Sequence, residues 1–187
     1  ARVVATSGYL PWPQLQRVAA LGAELGGPLL SFDLPGEFDD LEGRGFKREH
    51  MEALLPEIDL FLTSRERLLS YTEASSIAEG LAYLRARGIR RAAVSDGANG
   101  VHLFEVHGDE QTIHHLPAFP VQVVDTTGAG DVLHAALAAE WLLGEKPADL
   151  AGRVAAAAAA LACQGWGTRS ALPTRNEAES LVDGWTR

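Results

Sequence analysis

Short apolar runs alternate with stretches of helical spacing along this chain, and that alternation restricts the fold more than any other feature. The runs Val3 to Thr6, Pro28 to Phe32, Ile58 to Leu62 and Ala92 to Ser95 read as buried strands, each followed by Ser, Thr, Asp or Gly. Between them lie helical stretches. In Pro11 to Gly26, Leu15, Val18, Ala19 and Leu25 share a face with Leu21 near it, and Gly26-Gly27 ends the helix. Arg48 to Leu55 is a short helix, and Glu73 to Arg87 another, closed by Gly88. Val101 to Val106 and Gln111 to Leu116 flank Gly108-Asp109, a hairpin signal. Ala129 to Gly144, Ala148 to Cys163 and Asn176 to Val182 complete the helices. Strand–helix alternation of this kind predicts an α/β sandwich with a mostly parallel sheet. With no repeat and no linker, residues 1–187 are expected to form one α/β domain. The Ala155 to Ala160 run reads as a helix packed tightly through small side chains.

Composition narrows the function classes. The chain has 187 residues, enough for one core, with 47% apolar and 22% charged residues. Its longest apolar run, Val154 to Cys163, is ten residues, too short to span a bilayer. The opening Ala1 to Ala5 lacks the layout of a secretory signal, and the single Cys163 excludes an internal disulfide. A cytoplasmic location, no membrane and no nucleic-acid partner are therefore expected. The formal charge of −9 would repel a polyanion, although a few aimed amides can still hold one phosphate.

The segment richest in chemistry is Val123-Val124-Asp125-Thr126-Thr127-Gly128-Ala129-Gly130-Asp131. An apolar pair, expected to end a strand, runs into a glycine turn and then a helix. The first amides of that helix lack internal partners, and with the helix dipole they form an anion site. Amides of Gly128, Ala129, Gly130 and Asp131 aimed at a phosphoryl group would stabilise charge as it develops in transfer. Asp131 stands in the first turn, where it could accept the proton of an attacking hydroxyl.

Asp125 to Asp131 in full resembles the C-terminal signature of the PfkB/ribokinase family of carbohydrate kinases. The resemblance implies a ribokinase-like three-layer αβα sandwich, ATP and Mg²⁺ as cofactors, and a sugar hydroxyl as acceptor with Asp131 as base. It extends along nearly the whole chain. Ser95-Asp96-Gly97-Ala98-Asn99-Gly100 lies where the family has its Thr-x-Gly-x-x-Gly loop, which implies that Ser95, Gly97 and Gly100 attend the nucleotide phosphates. Phe32-Asp33-Leu34-Pro35 looks like the family's Asp-Pro-Asn strand end, altered at its last two positions. Thr63 to Glu66 falls on the family's Asn-x-x-Glu, so Glu66 is the implied acid for Mg²⁺ through water, although the Asn is gone. Ala162 to Pro173 resembles the loop over adenine, which brings Gly165 and Gly167 to the nucleotide and carbonyls near Ala162, Gly165 and Gly167 to a monovalent cation such as K⁺. Asp125 and Thr127 would be partners in that cation site. Ala156 stands where many members carry an Asn.

Other constellations are absent or weaker. There is no Gly-x-x-x-x-Gly-Lys-Ser/Thr, and Leu133 occupies the place of a third dinucleotide-loop glycine. His50, His102, His107, His114, His115 and His134 form no zinc spacing, and a surface role is expected for them, while His134, on the helix face of Asp131, could touch substrate or simply pack. Cys163 is expected to be inert, and Trp12, Trp141, Trp166 and Trp185 form no stacking row.

In the family, the sugar site is built largely by an N-terminal half with a Gly-Gly-x-x-x-Asn element and a β-sheet lid. Neither is found here, and the first residues already match the middle of the family fold. Two readings follow. The parent protein is a sugar kinase and this chain its nucleotide-binding portion, with little turnover alone. Alternatively, the chain is a non-catalytic nucleotide-binding or assembly module without an acceptor site. Family dimers often use the lid, which leaves a homodimer open. The sugar itself is not legible.

Overall fold

The computed structural model describes residues 1–24 and 26–185. Its contacts divide into two compact units. The first comprises residues 1–95 and 104–113, the second residues 96–103 and 114–187.

The first unit is built on β1 (Val3–Ser7), β2 (Leu29–Asp33), β3 (Leu60–Ser64) and β4 (Arg91–Ser95). They pair in chain order and in parallel, with Val4 opposite Leu30, Phe32 opposite Phe61 and Ser64 opposite Ser95. Strands β5 (Val101–His107) and β6 (Glu110–Leu116) extend the sheet to the order β1 to β6. Burial follows this order. Leu60, Phe61, Leu62 and Thr63 are buried on both faces, as an interior parallel strand requires, whereas β1 and most of β6 are half-buried or exposed.

Parallel neighbours need a crossover between them. Helix α1 (Trp12–Ala23) links β1 to β2; α2 (Phe38–Gly43) and α3 (Arg48–Leu54) link β2 to β3; α4 (Arg65–Thr72) and α5 (Ile77–Arg85) link β3 to β4. Because the strands are laid down sequentially and crossovers are right-handed, all five helices lie on one face. Leu15, Leu41, Met51, Leu54, Leu68, Tyr71, Leu81 and Leu84 from those helices meet Phe32, Phe61, Ala92 and Val94 of the sheet in one core. Of the face expected for α1, Leu25 lies outside the described residues.

Several boundaries differ from the sequence expectation for identifiable reasons. The helix expected from Glu73 starts only at Ile77. Glu73 adopts φ +56° and closes α4, while Ser76 accepts the Glu79 amide hydrogen and Glu79 reaches back to the Ser75 amide and hydroxyl. Helix α2 was not among the expected helices, whereas α4 starts within the Thr63 to Glu66 element. The latter is announced by Ser64, whose hydroxyl accepts from the Arg67 amide.

The second unit contains α6 (Ala129–Leu137), a π-helical segment (Ala138–Leu143), α7 (Ala148–Ala162) and α8 (Arg175–Trp185). One continuous helix was expected over Ala129 to Gly144. Instead the Gly144 amide reaches the Ala139 carbonyl, five residues back, at 2.9 Å. The widened turn carries Glu140, whose buried carboxylate bonds Lys146 Nζ at 2.6 Å and Arg175 Nη2 at 2.9 Å. The alanine run behaves as expected: Ala151, Ala155, Ala157 and Ala158 are buried, and a Cβ at Gly152 would come within 2.3 Å of Leu103 Cδ1. Small side chains let α7 lie flush on the ends of β5 and β6. Phe119, Val154, Ala157, Ala158 and Ala178 form this unit's own apolar cluster.

The strand expected to end at Val123-Val124 is not formed. Residues 117–128 are irregular, and Val123 and Val124 are 58% and 38% exposed. The amides of Val124 and Asp125 both donate to the Cys163 carbonyl, at 2.8 and 3.2 Å, so they close the end of α7 instead of joining a sheet.

Candidate functional site

The turn from Asp125 to Asp131 enters α6 through Gly128, the residue before the helix, at φ +84°. That left-handed conformation favours glycine, and a Cβ there would also press within 3.1 Å of Thr168 Cγ2. Among the described residues no side chain caps this helix. The Ala129 amide is taken by the Thr126 carbonyl at 3.1 Å, and the Val132 amide by the Gly128 carbonyl at 3.0 Å. Of the four amides expected to face an anion, Ala129 is therefore committed internally. Gly130 and Asp131 present the amides of the next helical positions, and a Cβ on Gly130 would meet nothing within 4 Å. Asp131 is exposed in this first turn. His134, on the same helix, is buried; burial holds its imidazole below the ordinary value, against a smaller opposing pull from Asp131.

Asp125 ties this turn to the loop between α7 and α8. Its Oδ1 accepts the Thr127 amide at 2.9 Å and the Thr127 hydroxyl at 2.7 Å, and its Oδ2 accepts the Gly167 amide at 2.8 Å. The Thr127 hydroxyl first, then the Thr127 and Gly167 amides, hold the carboxyl below the usual aspartate range. Gly165 sits in the same loop, where a Cβ would come within 2.5 Å of Ser170 Oγ. The exposed Trp166 stands between the two glycines.

Gly97 and Gly100 also belong to this unit. Gly97 opens a 3₁₀ turn (Gly97–Asn99) closed by the Asp96 amide on the Gly100 carbonyl at 2.8 Å and by Asn99 Nδ2 on Asp96 Oδ2 at 3.2 Å. At φ +102°, Gly100 lies so tightly on β6 that a Cβ would fall 2.0 Å from the Leu116 carbonyl oxygen. His115 Nε2 is 2.8 Å from the Asn99 carbonyl oxygen, which only accepts, so Nε2 carries the proton. The His115 ring stacks on His102 with centroids 4.5 Å apart. The histidines were expected to scatter over the surface. Two of them meet because residues opposed in a hairpin share a face.

Ser95 and Glu66 lie in the first unit. Ser95 ends β4 opposite Ser64, and its hydroxyl donates to the Thr63 carbonyl at 3.5 Å. Ser64 caps α4, and Glu66 is exposed in the first turn of that helix. Among the described residues no group of three or more His, Cys, Asp or Glu side chains is placed to hold a metal ion. Nor is any described helix long and apolar enough to cross a membrane.

Sequence reasoning missed Thr168, which covers Gly128, and Glu140. Neither carries a local motif; each acts through a partner remote in the chain.

The fold defines the class first: this is the ribokinase-like three-layer α/β arrangement with a mostly parallel sheet. Its match to an E. coli putative ribokinase II solved with ATP and Mg²⁺ has a TM-score of 0.83 at 23% identity, over 98% of this chain and 59% of the other. That to Arabidopsis thaliana ribokinase complexed with ribose and ATP has a TM-score of 0.79 at 27% identity, over 97% and 56%. In sequence, the chain is 33% identical to Bacillus subtilis ribokinase over 155 residues, 81% of this chain and 47% of that protein. Residues 36–175 match the pfkB family carbohydrate kinases. The chain belongs to that family. It spans about half the length of the relatives it matches.

Proposed function

We propose that this chain carries the nucleotide-binding and phosphoryl-transfer portion of an ATP-dependent carbohydrate kinase. The observation that carries the reading is the start of α6: an end with no side-chain cap, entered through a left-handed Gly128, with Asp131 exposed in its first turn. The amides of Gly130 and Asp131 are suited to hold the oxygens of the transferring phosphoryl group, and the positive end of the helix favours that charge. Asp131 accepts the proton of the sugar hydroxyl as the oxygen attacks phosphorus and the bond to ADP breaks. The loop at Gly97 and Gly100 and the loop at Gly165 and Gly167 line the nucleotide.

Mg²⁺ would be held mainly by the nucleotide phosphates, since no cluster among the described residues supplies a full ligand set. When bound, it neutralises phosphate charge. Asp125 and Thr127 offer oxygens for a K⁺ ion, with carbonyls from the α7–α8 loop. A second reading is a non-catalytic nucleotide-binding or assembly module.

One experiment separates these readings. Phosphorylation of a sugar panel is measured with the 187-residue chain, with a form extended at its N-terminus, and with Asp131→Asn in each. Transfer by the extended form, abolished by Asp131→Asn with ATP affinity nearly unchanged, supports the kinase reading. Transfer surviving within a few fold removes Asp131 from the role of base, and ATP binding without transfer in any form supports the module.

A further inference from the structure

The loop from Asp96 to Gly100 closes on itself through its backbone. The Asn99 amide donates to the Asp96 carbonyl at 2.9 Å and the Gly100 amide to the Gly97 carbonyl at 3.1 Å. The Asn99 carbonyl has its partner outside the turn, His115 of β6, whose Nε2–H reaches it at 2.8 Å. That carbonyl and the Gly100 amide are two ends of one planar peptide unit. His115 and the Gly97 carbonyl therefore fix the plane from opposite sides. Gly100 also lies against the carbonyl of Leu116, the neighbour of His115, so both contacts come from one end of β6. A ring at an exposed strand position is free to turn about its side-chain bonds. Here His102 of β5 limits that freedom by stacking on it, with centroids 4.5 Å apart and planes 25° from parallel. Burial first, then the neighbouring His115, holds the His102 imidazole below its ordinary value against an opposing pull from Asp96, so at neutral pH it stacks uncharged.

Resting on the kinase reading above, we propose that His115 is a positioning residue: its Nε2–H sets the Asn99–Gly100 peptide, and with it the loop that lines the nucleotide, before ATP arrives. The ring acts through the loop and not on the reacting atoms. A loop ordered in advance leaves less for the ligand to order, so loss of the donor weakens nucleotide binding. Two replacements separate the donor from the ring. His115→Phe keeps a flat ring to stack on His102 and loses the N–H. His115→Gln loses the ring and keeps an N–H at about the reach of Nε2.

The test compares the wild-type chain with both variants, each checked for folding by circular dichroism. Hydrogen exchange of the segment 97–101, measured without nucleotide, is expected to speed up about three- to tenfold in His115→Phe, the range for loss of one neutral hydrogen bond. ATP affinity, measured by titration, should fall by a similar factor, while His115→Gln stays within about twofold of wild type in both measurements. Exchange unchanged in His115→Phe overturns the proposal, because the donor then does not hold the loop. Equal losses in the two variants also overturn it, by assigning the effect to the ring. Faster exchange with ATP affinity unchanged removes the positioning role. If the wild-type chain binds no ATP, the kinase reading falls, and the exchange comparison alone decides whether His115 sets the loop.

Discussion

Glu140→Gln would remove the negative charge that Lys146 and Arg175 share while leaving the side chain's shape almost intact. The carboxylate is 6% exposed, so in the folded state it cannot exchange these partners for water. Breaking a buried ion pair by removing one member costs about 3–5 kcal/mol when the remaining charge stays buried. Here Arg175 is 59% exposed and Lys146 31%, so both cations recover much of their hydration. The expected cost therefore falls to about 2–3 kcal/mol. At about 2–4 °C per kcal/mol for a chain of this size, the melting temperature should drop by about 4–12 °C. Circular dichroism melts measure the shift. A cycle with Arg175→Gln isolates the pair, for which a coupling of about 1 kcal/mol or more is expected. A melting shift under about 2 °C together with additive single variants would show that the widened turn does not anchor α8 through Glu140.

Gly100→Ala should cost more than about 3 kcal/mol in urea unfolding, because the new methyl would meet the Leu116 carbonyl at a left-handed backbone position. Gly130→Ala, with open space around it, should leave stability unchanged or raise it by up to about 1 kcal/mol; equal losses at the two sites would contradict the packing described. Stability should also fall on mild acidification. Burial depresses His134 and, together with the charge of His115, His102, so the unfolded chain binds protons first as pH drops below the ordinary imidazole value of 6.5. The decline runs from there down to the lower folded values. Melting temperatures between pH 7 and 5 should show it, and His134→Leu should flatten the curve; an unchanged slope in that variant would assign the effect elsewhere.

The sheet and its main helices were legible because period and punctuation agree: Ile58 to Leu62 is apolar throughout, as a strand buried on both faces must be. The turn at Asp125 to Asp131 was legible as a motif, and the structure reproduces its glycine turn into a helix. What failed did so where tertiary partners override local pattern. Val123 and Val124 look like strand residues, yet their segment is engaged in closing α7. Ala129 looked like a free donor, but the turn consumes its amide. The π-helical turn left no local signature, and the carboxylate it carries meets two cations that follow it in the chain. The His102–His115 stack needs the hairpin register, which spacing along one strand does not give.

Strands β1 to β4 each lie beside the one made just before. A growing chain would therefore find the docking edge for every new strand already in place, with only one crossover to close at each step. Assembly of that half can run from the N-terminal side as synthesis proceeds, without a long search among distant segments.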